Sequence, residues 1–308
     1  GMFTTSSFAG PSVIVSREHL ASPIAQAVVV ISKNANVATG SEGLANAREV
    51  VAGVAAAIGC AADDVLIAST GVIGRQYPMD RVRDGLGVIP CPLPSVDADL
   101  VATGIMTPDT VAKVAATSVR QARIVGVAKG VGMIEPNMAT MLGFLTTDAQ
   151  VPTAVLRRAL QASARDTFNA ITVDGECSTN DALFALASGS SGVVIDDATY
   201  PALLAGFLAV SRELALGIVR GGEGATKLIA VTVSDAASVD AARQVARTIA
   251  NSLLVKTAVH GADPNWGRIV AASGRAGVTF DVENATVHVG GILMFEKGLP
   301  HDDAAPLV

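Results

Sequence analysis

The chain has 308 residues, which is enough for one large domain or two smaller ones with a sizeable core. Half of the residues are apolar and only 4% are aromatic, a profile typical of a soluble α/β protein whose core is filled by alanine and branched aliphatic side chains. The formal net charge of −6 argues against nucleic acid as a partner.

Three further features bear on the compartment. The cysteines are odd in number and widely spaced, which indicates a reducing environment without a disulfide framework: Cys60, Cys91 and Cys177. The most apolar segment, residues 203–219, contains Arg212 and Glu213, so we do not expect it to span a membrane. The N-terminus lacks a basic stretch followed by an apolar one, and without a signal peptide the predicted location is the cytoplasm.

The first half of the chain predicts an alternation of strands and helices. Runs of β-branched residues predict strands at residues 12–15 and 27–31. Ser41 offers an N-cap, and the apolar spacing that follows predicts a helix over about residues 42–58. The remaining predicted elements of this half are a strand at 64–68, helices at 79–86 and 96–105, and strands at about 111–117 and 123–128.

The second half continues the alternation. A strand that follows residue 140 is predicted to end near Asp148, and an apolar stripe predicts a helix over about residues 152–168. The acidic block at 174–181 is expected to cap residues 182–187. The remaining predicted elements are a helix at 200–219, a strand at 228–234, a helix at 236–250, two short strands within 278–293, and a disordered tail at 300–308.

Two stretches carry residues suited to acyl transfer. In the first, a strand runs into Ser69-Thr70-Gly71, where a glycine leaves backbone N–H groups free, as an oxyanion site requires. In the second, Pro136-Asn137 predicts a turn just before Thr140. A threonine there can attack the peptide bond that precedes it, and its freed amine can then act as its own general base. On these residues alone, a plain turn and a structural threonine remain the alternatives.

An acidic block raises the question of a metal site. Asp174, Glu176 and Asp181 could together hold a divalent cation. Their order does not match an EF-hand loop, so we expect these groups to support the site from behind, and no metal is predicted.

The segment around Thr140 resembles a known family. Residues 129–142 read Lys-Gly-Val-Gly-Met-Ile-Glu-Pro-Asn-Met-Ala-Thr-Met-Leu, which is similar to the self-cleavage segment of the ornithine acetyltransferase (glutamate N-acetyltransferase) family. Further blocks similar to those of the family occur in the same order, at residues 34–40, 69–74, 105–110, 174–181, 221–227 and 263–268. The resemblance covers nearly the whole chain, although family members extend beyond it at both ends.

The resemblance implies the catalytic groups. Cleavage between Ala139 and Thr140 would free Thr140 as the nucleophile, and Thr70 and Gly71 would line the oxyanion hole. No cofactor is implied.

The resemblance also implies the residues that bind substrate. Thr107 would touch the amino-acid substrate, and Lys129 would lie beside its carboxylate or beside the charge that develops near Thr140. Glu223 would bind the side-chain amine of ornithine, since a carboxylate is the natural partner of an alkylammonium group.

We therefore expect an α/β sandwich resembling that of the N-terminal nucleophile hydrolases, with a smaller second α/β domain. Self-cleavage would give chains 1–139 and 140–308, which together form the catalytic core and assemble as a heterotetramer of two cleaved heterodimers. The expected activity is transfer of acetyl from N-acetylornithine to glutamate in arginine biosynthesis, and the sequence leaves open acetyl-CoA as a second donor. The alternatives are a self-processing amidohydrolase or aminopeptidase, an acetyltransferase of a secondary-metabolite pathway, and an inactive remnant that only binds amino acids.

Overall fold

The computed structural model describes residues 1–94, 97–135 and 141–301. The chain divides into two compact units, Gly1–Glu223 and Gly224–Val308. The elements of the first unit are β1 (Met2–Phe3), α1 (Pro11–His19), β2 (Ala27–Ile31), α2 (Gly40–Ile58), β3 (Val65–Ser69), α3 (Met79–Leu86), α4 (Ala98–Gly104), β4 (Lys113–Val119), β5 (Ala122–Lys129), β6 (Leu142–Thr147), α5 (Thr153–Asp166), β7 (Ala182–Ala187) and α6 (Tyr200–Arg220). Those of the second unit are α7 (Val239–Ala250), α8 (Leu253–His260), α9 (Trp266–Gly274), β8 (Thr286–Val289), β9 (Ile292–Glu296) and β10 (Leu299–Pro300).

Two sheets form the centre of the first unit. The main sheet has the strand order β1-β7-β6-β5-β4 in the described residues. Its neighbours are antiparallel except for β6 and β7, which run parallel with Leu142 opposite Ala182. The second sheet is the parallel pair of β2 and β3, with Ile31 opposite Ser69. Because of these parallel registers, β6 and β7 start side by side. In the same way, β2 and β3 end side by side.

The first unit is built in four layers of helix, sheet, sheet and helix. Helices α5 and α6 cover one face of the main sheet, where Phe207 and Leu214 pack against strand residues such as Leu145. The other face packs against the parallel pair, because Phe144 and Leu66 belong to one apolar cluster. Helices α1 and α2 cover the far side of that pair, and α3 packs on α2. The prediction of an α/β sandwich is confirmed.

The second unit has its own small core. Its helices bury an apolar cluster that includes Val245, Ile249 and Ala272. Its strands form an antiparallel sheet in the order β10-β9-β8, and the rings of Trp266 and Phe295 stack with their centroids 5.2 Å apart. The prediction of a smaller second α/β domain is confirmed.

Residues 12–15 form part of helix α1, so the predicted strand there is wrong. Pro11 stands at the first turn of the helix, a position that its fixed φ favours. The helix faces β3 through Ser16, whose hydroxyl donates to the Ile67 carbonyl and accepts from the Ile67 N–H, both at 2.7 Å. The short β-branched run did not indicate this helix or its buried contact with β3.

Three further expectations need correction. The predicted strand at 228–234 does not form, because Val231 and Val233 pack on the helical core without pairing to a strand in the described chain. Residues 182–187 form strand β7, so the acidic block before them does not cap a helix. The terminal strands lie at 286–300, which is later than the predicted 278–293, and β10 includes the start of the expected tail.

Helix α6 is long and apolar enough by composition to cross a membrane. Its buried side chains nevertheless pack against the main sheet and α5, as a core helix does: Leu203, Phe207, Val210, Leu214 and Ile218.

Candidate active site

A cavity of about 410 Å³ opens where several strands of the first unit begin or end. The ends of β2 and β3 contribute Lys33 and the turn after Ser69. The end of β5 contributes Lys129, and the starts of β6 and β7 contribute Met141 and Asp181. Because Leu142 lies opposite both Lys129 and Ala182 in the sheet, groups distant in sequence meet at one edge.

The turn after β3 lines this cavity and carries two hydrogen-bond donors without a partner among the described residues. The Thr70 N–H is occupied, since it donates to the Ile31 carbonyl at 3.0 Å. No described residue accepts a hydrogen bond from the Gly71 N–H or the Thr70 hydroxyl, and both residues line the cavity. Gly71 has φ of 129°, and a Cβ there would collide with the Lys33 carbonyl. Only glycine fits this position without a backbone shift.

Asn180 fixes this turn from behind. Its side-chain Nδ2 donates to the carbonyls of Ala35, at 2.6 Å, and Ser69, at 3.1 Å. Ala35 lies in the loop after β2, and Ser69 is the last residue of β3. One amide therefore joins the loops that follow these two parallel strands. The side chain is 4% exposed, and the carbonyls would lack these bonds if it were removed.

A network of buried charges organises the part of the cavity around Thr107 and Lys129. Asp109 accepts from Lys113 Nζ at 2.6 Å, from the Gly130 N–H at 2.8 Å and from the Thr107 N–H at 3.3 Å. Burial alone would raise the pKa of the Asp109 carboxyl, but these hydrogen bonds and the Lys113 charge outweigh it and lower the pKa. Asp109 therefore fixes the backbone of Thr107 and of Gly130, the residue that follows Lys129.

Lys129 lines the cavity at the end of β5. Its Nζ donates to the Thr107 hydroxyl at 3.3 Å. Burial lowers the pKa of the Lys129 ammonium, an effect that Asp109 and Asp181 oppose and that Lys113 and Lys33 reinforce. The predicted substrate residues Thr107 and Lys129 are thus brought together.

Asp181 lies beside the start of β6. Its carboxyl accepts from the Met141 N–H and from Ser178, and Oδ2 has no partner among the described residues. Burial raises the pKa of this carboxyl well above its usual range, although Lys129 acts in the opposite direction.

Glu223 lies near the cavity without lining it. Its N–H donates to the Val131 carbonyl at 2.6 Å, and its Oε2 lies 3.0 Å from where a Cβ on Gly132 would stand. Gly132 itself lines the cavity. Asp174 anchors the same segment, since its carboxylate accepts from the N–H groups of Met133 and Ile134 at 2.5 and 2.8 Å.

The structure therefore brings Thr70, Gly71, Thr107 and Lys129 to one cavity and Glu223 to its edge. Ala139 and Thr140 lie outside the described residues, whereas Met141, the residue after Thr140, lines the cavity.

Sequence reasoning assigned no role to Asp109 or Asn180. Both lie in blocks that resemble the family, which was the available signal, but their partners depend on strand register.

Among the residues that the structure describes, no group of three metal-ligating side chains comes together. Asp174 uses its carboxylate to hold backbone N–H groups, which accounts for one of the acidic residues considered as ligands.

Comparison with known proteins finds relatives that match nearly the whole chain. The ArgJ family model matches residues 1–306. The chain is 50% identical over 275 residues to "Arginine biosynthesis bifunctional protein ArgJ 2" of Nostoc sp., which covers 89% of this chain and 70% of the relative. It is 45% identical over 308 residues to "Glutamate N-acetyltransferase Oat2" of Streptomyces clavuligerus, covering 98% of this chain and 77% of the relative.

A crystal structure of the ArgJ protein of Bacillus halodurans is similar with a TM-score of 0.49 and 40% identity, covering 54% of this chain and 82% of the other. Because the family model matches nearly the whole length of this chain, the chain belongs to the ArgJ family.

Proposed function

We propose that this protein is a glutamate N-acetyltransferase (ornithine acetyltransferase) that moves an acetyl group from N-acetylornithine to glutamate in arginine biosynthesis. The cavity carries this proposal, because two unpaired donors, Thr70 and Gly71, share it with Lys129 and with the residue that follows Thr140. The names of the relatives, a glutamate N-acetyltransferase and arginine biosynthesis bifunctional proteins, support the same activity.

The first half-reaction uses Thr140 as the nucleophile. Its hydroxyl oxygen attacks the acetyl carbonyl of N-acetylornithine, and its own amine accepts the hydroxyl proton. The tetrahedral oxyanion is stabilised by the Thr70 hydroxyl and the Gly71 N–H, and its collapse expels ornithine, which takes up the proton. Oxyanion donors of this kind are typically worth about 3–4 kcal/mol each.

The second half-reaction returns the enzyme to its starting state. The glutamate amine attacks the acetyl-threonine ester, the same donors stabilise the intermediate, and the released Thr140 hydroxyl regains its proton. Lys129 and Thr107 hold the substrate carboxylate in both halves, and Glu223 binds the side-chain ammonium of ornithine.

Thr140 becomes available through cleavage of the Ala139–Thr140 bond. Its hydroxyl attacks the Ala139 carbonyl, an N-to-O shift gives an ester, and water releases the segments 1–139 and 140–308. We further propose that two such cleaved heterodimers assemble, and that the enzyme acts in the cytoplasm on small-molecule substrates, with acetyl-CoA as a second donor to be tested.

The test is a single-turnover experiment followed by intact-mass measurement. Incubation with N-acetylornithine alone should add one acetyl group to the 140–308 chain, and later addition of glutamate should remove it as N-acetylglutamate. Thr140→Ala should accumulate no adduct. Acetate release that glutamate does not affect would instead favour the amidohydrolase, and no adduct or turnover in the wild type would favour a protein that only binds amino acids.

A further inference from the structure

Asp181 is a buried cavity group for which the proposed acetyl transfer has no use. It precedes β7, lines the cavity and is only 2% exposed. Its carboxyl accepts from Met141 and Ser178, but Oδ2 has no partner among the described residues. A buried carboxylate oxygen without a partner is costly to keep charged, so a proton at this position has a physical reason to bind.

Lys129 faces the same cavity and is electrostatically coupled to Asp181. In the described part of the chain its ammonium donates to the Thr107 hydroxyl and forms no salt bridge with Asp181. Burial moves the pKa of both groups toward their neutral forms, downward for Lys129 and upward for Asp181. Two coupled groups titrate as a pair, and this pair is neutral overall when it holds one proton, which Lys129 carries while the Asp181 carboxylate is its countercharge.

The other charged groups around this pair largely cancel. Asp109 and Lys113 form a buried salt bridge of their own at 2.6 Å. Lys33 is exposed at the end of β2 and donates to the carbonyls of Met106 and Thr107. On the side of Gly132, the nearby carboxylates are Glu223 and Asp174. A carboxylate ligand that enters beside Lys129 therefore adds a negative charge next to Asp181, which the buried Asp109–Lys113 pair does not offset.

We propose that Lys129 and Asp181 together hold one proton in the empty cavity and two once a carboxylate ligand is bound, so that binding takes up a proton from solvent. The inference rests on the proposed role of Lys129 as the partner of the substrate carboxylate. When Lys129 pairs with the ligand, Asp181 loses its countercharge and faces a second carboxylate, which strongly favours its protonated form. The proton comes from solvent and returns to solvent when the ligand leaves.

This coupling makes ligand affinity depend on pH. Uptake of one proton on binding means that affinity falls about tenfold for each pH unit above the range in which the pair protonates. Below that range the empty cavity already holds both protons, and affinity becomes independent of pH.

The experiment is isothermal titration calorimetry with Nα-methanesulfonyl-L-ornithine, in which a sulfonyl group replaces the transferable acetyl group. Titrations at pH 8 in buffers of different ionisation enthalpy give the number of protons taken up. The matched control ligand is the α-carboxamide of the same compound, which lacks the negative charge. The wild type should take up about one proton with the carboxylate ligand and close to none with the carboxamide.

Asp181→Asn tests which residue is responsible. Asparagine keeps an oxygen that can accept from the Met141 N–H but cannot bind the extra proton. The variant should bind the carboxylate ligand with almost no proton uptake and with an affinity that no longer falls with pH. Asp148→Asn is the control, because Asp148 also accepts a backbone N–H, that of Arg123 at 2.7 Å, but is not among the cavity residues. It should behave as the wild type.

Binding by the wild type without proton uptake, or equal uptake in Asp181→Asn, would overturn the inference and leave the proposed acetyl transfer intact. If the wild type binds neither ligand, the proposed substrate site fails and the inference fails with it. Should Asp181→Asn not fold, the comparison of the two ligands on the wild type still decides whether a ligand carboxylate draws a proton into the cavity.

Discussion

Asn180, just before β7, donates its side-chain amide to the carbonyl of Ser69 at 3.1 Å. This bond joins the start of a strand of the main sheet to the end of β3 in the parallel pair. The contact sets where the Thr70–Gly71 donors stand relative to Met141, which leads into β6 beside β7. The position of the two proposed catalytic parts, the Thr70–Gly71 turn and the start of β6, thus depends on a single side chain as well as on the apolar core.

Asn180→Leu should therefore damage catalysis more than binding. Losing the amide leaves two loop carbonyls without their bonds, which costs about 1–3 kcal/mol of stability, and it frees the donor turn to move. We expect kcat to fall by at least about tenfold with a smaller change in KM. Asn46→Leu is the control, because Asn46 is 8% exposed but bonds Gln76 outside the cavity. Equal kcat values for the two variants would contradict the role of Asn180.

Gly71→Ala should nearly abolish turnover. The added Cβ meets the Lys33 carbonyl at a φ of 129°, so the turn must shift and carry its N–H away from the oxyanion. Loss of one such donor typically costs a factor of about 10²–10³ in kcat. Gly74→Ala is the matched control: it also has positive φ, at 80°, but no atom lies within 4 Å of the new Cβ. In steady-state kinetics, the kcat of Gly71→Ala should be lower than that of Gly74→Ala by about this factor of 10²–10³.

Cleavage at Ala139–Thr140 should leave the fragments associated. Strand β5 of the first fragment pairs with β6 of the second, and β1 pairs with β7, so both fragments share one sheet. Denaturing electrophoresis of the wild type should give two bands, and Thr140→Ala should give one. Size-exclusion chromatography without denaturant should give a single peak containing both fragments. Separation of the fragments there would contradict the shared sheet.

Breaking the salt bridge between Asp109 and Lys113 should destabilise the protein strongly. The two side chains are 0% and 6% exposed, and removing one partner of such a pair typically costs about 3–5 kcal/mol. Lys113→Met should show this loss in urea unfolding, and adding Asp109→Leu should recover part of it. Arg83→Met, which breaks an exposed pair with Glu49, should change the midpoint little.

The same salt bridge has a predictable acid dependence. The pKa of Asp109 is lowered in the folded protein, so its stabilising contribution is present above the usual carboxyl range and is lost as pH falls through the lowered value.

Asp181 should show the opposite pH dependence of stability. Its pKa is raised on folding, so its favourable contribution is complete below the usual carboxyl range and is lost as pH rises through the raised value. Asp181→Asn cannot ionise, so at pH 8 it should melt at or above the temperature of the wild type. The difference should shrink as the pH falls toward about 4. A variant that melts lower than the wild type by the same amount at every pH would contradict this.

Much of the fold could be predicted from local patterns. The N-cap and apolar spacing predicted the helix at about residues 42–58, which the structure places at Gly40–Ile58. A short run of β-branched residues could not distinguish a strand from helix α1, because four residues do not define a period. The segment 228–234 has the composition of a strand, but pairing depends on a partner that local sequence does not reveal.

The candidate site was predictable only in part. The resemblance identified Thr70, Gly71, Thr107 and Lys129, which the structure brings to one cavity. The contact between Asp181 and Met141 follows from the parallel register of β6 and β7, which no local pattern specifies. The bonds of Asn180 likewise depend on how the two sheets stack.

Strand β6 lies in the interior of the main sheet, between β5 and β7. Free chain ends usually fray, because their last residues lack partners on either side. A chain that begins at Thr140 would instead enter, from Leu142 onward, a strand held by β5 on one side and β7 on the other. Because hydrogen bonds hold β6 on both sides, cleavage of the chain before it would leave the strand fixed in the sheet.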